Sequence, residues 1–275
     1  MYWTVLEGVH TYEWVTETSG QILGHPACLT TTIRATGTDV DAAIKAAYGK
    51  MGEYTWAKSD FVPGEMYPRI WRTDGEPDRG SAAYESSVAS ARNLSRRLDD
   101  IFRVVEPDDR NLGVFGHELR HVLILACTEV ESGLKAVLKA NNVRPTRRNY
   151  ELPDYWKLVA PMKLDHWSAV INHRAHHCSK LEPFKGWTKN SPPAWWTAYN
   201  RVKHDREANL VEATLGHALN ALAGVWVVIG AQFGTAELPE HVSFGNIPHW
   251  GASERYIPPS VPGGHATWTP KTLVV

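Results

Sequence analysis

Three cysteines in 275 residues are too few, and odd in number, for a disulfide framework, and Cys28, Cys127 and Cys178 form no Cys-x-x-Cys pair. A reducing, cytoplasmic setting is the expectation. Surplus charge is missing too: 29 Lys and Arg stand against 30 Asp and Glu, leaving a net charge of −1. No overall field draws nucleic acid or anionic lipid, so either would need a local patch. The N-terminal Met1-Tyr-Trp-Thr-Val-Leu-Glu7 lacks both a basic start and an apolar core, so no signal peptide is read there. Uninterrupted hydrophobic runs are scarce. Residues 213–234 carry no Asp, Glu, Lys or Arg and are long enough to span a bilayer, but His217, Asn220 and Gln232 interrupt them. With no basic or aromatic anchor at the far end, a buried bundle helix is expected there and no membrane partner.

What remains, 43% hydrophobic and 21% charged residues, is ordinary for a globular chain with one large domain and appendages. Residues 1–77 read as a small mixed α/β region. Tyr2-Trp-Thr-Val-Leu6 and residues 27–33 look like strands, residues 41–48 like a short helix, and Gly75-Glu-Pro-Asp-Arg-Gly80 like a linker. His10 and His25 have no spaced partner.

Residues 78–234 change texture. Tyr84, Val88, Ala91, Leu94, Leu98, Ile101 and Val105 recur at helical spacing until Pro107. A second helix is expected from Val114 to Ala140 on the stripe Leu119, Val122, Leu123, Ala126, Val130, Leu134, Val137, packed antiparallel to the first. A short helix after Pro153 and a strand near residues 167–171 follow. Ser191, Pro192 and Pro193 open a three-turn helix bearing Trp195, Trp196 and Tyr199, with a bend expected at His204-Asp205 where Asp205 can cap a last helix. That helix should run to Phe233 with Val211, Leu215, Ala218, Leu222, Val225 and Ile229 on one side. Residues 235–275 form a Pro/Gly-rich irregular tail, with Trp250 and Trp268 favouring a wrapped one. The fold class expected is mainly α, a four- to five-helix bundle.

Two stretches carry metal-ligand spacing. His117-Glu118-Leu-Arg120-His121 matches the His-Glu-x-x-His of zinc peptidases, in which i and i+4 imidazoles share a metal and the glutamate is general base. Arg120 is out of character for that class, and a third ligand has to come from elsewhere. The run His173, His176, His177, Cys178, with His166 upstream, fits no standard finger.

A third constellation lies along Trp195-Trp-Thr-Ala-Tyr-Asn200-Arg-Val-Lys-His204-Asp-Arg206. Asn200 and His204 share a helix face at i, i+4. Imidazole serves as acid or base near neutrality, and Lys203 and Arg206 supply the positive potential a phosphate needs. The aromatic trio continues an apolar face and is expected in the core. Upstream, Glu131 and Lys135 form an i, i+4 pair at the edge of the second helix's stripe, placed to be half-buried.

Glu131-x3-Lys135 followed by Asn200-x3-His204, inside the Trp-Trp-to-Arg206 string, resembles the HEPN group of helical domains over roughly residues 81–234. The resemblance implies a helical bundle, usually dimeric, whose active members cut RNA without metal in bacterial defence or stress response. By that resemblance Asn200 and His204 are catalytic, while Lys203, Arg206, Tyr199, Glu131 and Lys135 bind or orient the substrate. Tyr199 stands where those members carry arginine, and a phenol cannot neutralise a phosphorane as guanidinium does. The function expected is an RNA-directed or nucleotide-binding module with no cofactor. The alternatives are a zinc-dependent hydrolase using His117, Glu118 and His121, and a non-catalytic interaction domain in which the string is a packing corner.

Overall fold

A computed structural model of the chain describes residues 65–71, 81–171, 180–234 and 272–273, together with strands at 2–6, 15–18, 21–24, 31–34, 54–58, 242–246 and 269–270. Contacts divide the chain into two units: residues 1–65, 72–75 and 249–269 in one, and 66–71, 76–248 and 270–275 in the other. The helix expected at 41–48, the linker at 75–80, the histidine run at 172–178, and Trp250 and Trp268 lie outside the described residues.

In the first unit β1 (Tyr2–Leu6) pairs antiparallel with β5 (Tyr54–Lys58), setting Thr4 opposite Trp56. Strands β2 (Val15–Thr18), β3 (Gln21–Gly24) and β4 (Thr31–Arg34) form an antiparallel meander. The strand expected at 27–33 starts later, at Thr31.

The second unit is mainly helical and holds the six α-helices of the described residues. Helix α1 (Ala82–Ile101) begins where the Ser81 hydroxyl accepts the Tyr84 N–H at 3.3 Å, and it buries the expected stripe from Tyr84 to Ile101. Val104 lies beyond its end and is 84% exposed. The connection to α2 (His117–Ala140) spans residues 102–116, longer than Pro107 alone predicts, with a 3-10 turn at Asp109–Asn111. Helix α3 (Leu152–Trp156) is short and carries a capping box between Glu151 and Asp154. Strand β6 (Ser168–Ile171) follows and pairs antiparallel with β7 (Val242–Asn246), inside what reads as irregular tail. Helix α4 (Ala194–His204) starts after Pro193, and its bend falls where expected: Asp205 accepts the Ala208 N–H at 3.1 Å and caps α5 (Arg206–Asn209).

The last helix departs from the expectation. A 3-10 turn at Leu210–Glu212 interrupts the chain, and α6 (Leu215–Phe233) begins only at a second cap, the Thr214 hydroxyl accepting the His217 N–H at 3.2 Å. Val211 is therefore off the stripe and 55% exposed.

Helix directions follow from side-chain pairs. Tyr84 meets Phe233 edge-on at 5.4 Å, and the Trp226 indole donates to Ser95 at 3.4 Å, so α1 and α6 run antiparallel. Gly224 faces Val130 and Gly133 faces Val228, so α2 and α6 run parallel. Their starts are tied by backbone bonds, Leu215 N–H to Val114 at 2.7 Å and Gly216 N–H to Leu112 at 2.9 Å. A Cβ at Gly133 would stand 2.7 Å from the Val228 side chain, so the close approach of α2 and α6 requires glycine there. By length and composition α6 could cross a membrane, yet in this fold its apolar window is 83% buried among its neighbours. Gly234 ends it at φ 81°, against the Trp71 ring, where a Cβ would collide at 2.9 Å.

Candidate functional site

Two halves of α4 face opposite environments. Pro183, Phe184 and Trp187 precede the helix and build an aromatic cluster with it. The Trp195 indole donates to the Pro183 carbonyl at 2.6 Å, and Trp196 lies 5.5 Å from Trp187 and 6.0 Å from Tyr155. Trp195, Trp196 and Tyr199 are all buried, Tyr199 to 1% exposure, as their spacing predicts. Beyond them Arg201, Lys203, His204, Asp205 and Arg206 are exposed, and Asn200 is partly so.

A polar relay joins the halves. Lys203 folds back one turn, donates to the Tyr199 hydroxyl at 2.8 Å and lies 4.9 Å from the centre of its ring. That bond raises the Lys203 pKa and keeps the ammonium charged. On α2, antiparallel to α4, Glu131 lies beside the same hydroxyl. Burial raises its carboxyl pKa, and the Lys203 charge, hydrogen bonding to Tyr199 and the Lys135 charge only partly offset this. The main electrostatic partner of Glu131 is thus Lys203 rather than Lys135, which is exposed. The pair expected within α2 is replaced by one between helices.

Two further groups join this relay that their sequence positions did not single out. The Cys127 thiol, one turn before Glu131, is buried, and burial followed by the Glu131 charge pushes its pKa well up. Tyr155, on α3, is pushed up to about 12 by burial and then by Glu131. The i, i+4 spacing of Cys127 and Glu131 was the available signal for the thiol. Tyr155 gave none, since its approach depends on how α3 packs.

The His-Glu-x-x-His stretch occupies the first turn of α2. His117, Glu118 and His121 are exposed, and His121 Nδ1 lies 3.5 Å from Glu118. Among the described residues no three His, Cys, Asp or Glu side chains group together. Arg120, out of character for a zinc motif, has a different part here: Nε and Nη2 both reach the Val202 carbonyl at 3.4 Å. A cation on the last carbonyls of a helix satisfies acceptors that the helix leaves open and matches its dipole. The first turn of α2 and the exposed end of α4 therefore adjoin.

No family model, curated protein or solved structure matches this chain. The site is consequently read from its own chemistry. Arg201 is engaged elsewhere, paired with Glu212 at 2.7 Å. His204 and Arg206 have no hydrogen bond or ion pair among the described residues and face solvent one turn beyond Asn200. Tyr199 is too enclosed to stack on a base; its hydroxyl holds Lys203 instead. The arrangement offers a charged ammonium, a guanidinium, an amide and an exposed imidazole at one helix end, a set suited to holding a phosphodiester and moving a proton beside it.

Proposed function

We propose that the chain is a HEPN-like module, a four- to five-helix bundle with a mixed N-terminal region and an irregular tail, that engages RNA or a nucleotide and cleaves RNA without metal. The observation carrying this reading is the exposed, unpartnered His204 ring beside the Lys203 ammonium that Tyr199 holds in place. In the reaction His204 takes the proton of a ribose 2′-hydroxyl, and the 2′-oxygen attacks the adjacent phosphorus. The bond to the 5′-oxygen breaks, and that oxygen takes a proton as it leaves. Lys203 and Arg206 balance the charge growing on the phosphoryl oxygens, and Asn200 donates to one of them. Glu131 and Lys135 set the position of Tyr199 and Lys203, so an ammonium supplies the charge that related domains take from arginine at the place of Tyr199. A cytoplasmic homodimer in bacterial defence or stress response is the setting we propose.

Cleavage of single-stranded RNA in EDTA, followed on gels, tests the reading. His204→Ala should abolish it while the melting temperature stays within about 2 °C, since exposed substitutions change stability by under ~0.5 kcal/mol. Cleavage by the variant at the wild-type rate, or none by the wild type, overturns the proposal.

A further inference from the structure

Helix α2 turns its other face toward α1 and α6, where a cavity of about 200 Å³ opens away from the α4 relay. Arg69 and Gln232 line it from opposite chain segments, with Glu129, Ser132, Val228 and Ile229.

Two of these side chains have unmet polar atoms. The Arg69 guanidinium lies 5.3 Å over the Phe233 ring, and its Nε is buried without a hydrogen-bond partner. Burial lowers its pKa, and no carboxylate among the described residues answers it. The turn that presents it holds Arg69 at φ 58°, an uncommon conformation for a side chain of this size. Gln232 is 4% exposed, and its amide nitrogen donates to the Val228 carbonyl at 3.0 Å. That bond fixes which end of the amide is free: Oε1, buried, with no donor. An unanswered cation and an unanswered acceptor thus border one cavity, each costing about 1–3 kcal/mol if nothing fills it.

Size and wall chemistry narrow the occupant. A cavity of roughly 150 Å³ takes one benzene, whereas pockets for drug-sized ligands run to about 300–1,000 Å³, so a nucleotide is too large here. Arg69 calls for a carboxylate, Gln232 Oε1 and Glu129 for a cationic donor, and Val228 and Ile229 for an aliphatic body. We propose that this cavity binds a free aliphatic α-amino acid, its carboxylate on Arg69 and its ammonium between Gln232 Oε1 and Glu129. The site is separate from the relay at α4 and does not depend on the nuclease reading.

Thermal-shift and calorimetric titration of the full chain test it with L-leucine, 3-methylbutylamine, which lacks the carboxylate, and 4-methylpentanoate, which lacks the ammonium. Leucine at millimolar concentration should raise the melting temperature in a saturable way, with either half-molecule at least about tenfold weaker. Arg69→Gln should weaken leucine by at least about tenfold. Ser132→Phe fills the cavity from an exposed rim position and should abolish binding without lowering the ligand-free melting temperature. That variant decides the matter if Arg69→Gln does not fold. The proposal is overturned if leucine gives no shift, if a half-molecule binds as tightly, or if Ser132→Phe folds and binds like wild type.

Discussion

The first two turns of α4 and its last turn share one helix and differ in almost everything else. The first part puts Trp195, Trp196 and Tyr199 against Pro183, Phe184, Trp187 and Tyr155, out of water. The last part sets Arg201, Lys203 and His204 in solvent. Neighbouring residues in one string can therefore divide the work, large rings anchoring a helix so that its polar end is held at a fixed place. The Lys203–Tyr199 bond is where the two parts meet.

The largest effect expected from breaking this division lies on the anchored side. Trp196→Ala, at a 2% exposed ring, should cost about 3–5 kcal/mol, read as a lower denaturation midpoint. A loss below about 1 kcal/mol would mean that the rings do not anchor the helix.

At the junction the effect is smaller and depends on pH. The folded state raises the Glu131 pKa, so folding favours its protonated form. Stability linked to this group is full below the ordinary carboxylate range and is lost as pH rises through the raised value. Glu131→Gln stays neutral throughout, so its melting temperature relative to wild type should climb as pH rises through that window and level off above it. A difference that is flat or falls with pH removes Glu131 from its assigned place.

The smallest effect belongs to the wet end. Arg206→Ala should leave stability within about 0.5 kcal/mol and weaken RNA binding, reducing the slope of log affinity against log salt by about 0.7, the value for one phosphate contact on a single strand. An unchanged slope places Arg206 outside the RNA path.

How much of this was legible beforehand depends on the range of the interaction. The stripes of α1 and α2 recur every turn, so Tyr84 to Ile101 and Leu119 to Leu138 were readable as buried faces. Asp205 was readable as a cap because capping is local. The break before α6 was not: Val211 and Leu215 have the right spacing to extend the stripe, and periodicity does not register a turn of 3-10 helix. The Thr214 cap was the missed local sign. At the site, the i, i+4 spacing of Tyr199 and Lys203 was visible, whereas the partnership of Glu131 with Lys203 over Lys135 depends on where α4 lies against α2. Arg69 is further removed still, since its surroundings come from three separate helices.

The grip of Arg120 on Val202 makes the length of α4 a tertiary property. In a helix that continued, that oxygen would receive the amide of Arg206; here a guanidinium 82 positions away in sequence occupies it. The stopping point of the rod is thus measured by another rod, as a doorstop measures the swing of a door. Whatever draws Arg120 aside also releases the last rung, so a pull on the mouth of α2 travels directly to the imidazole two residues further on.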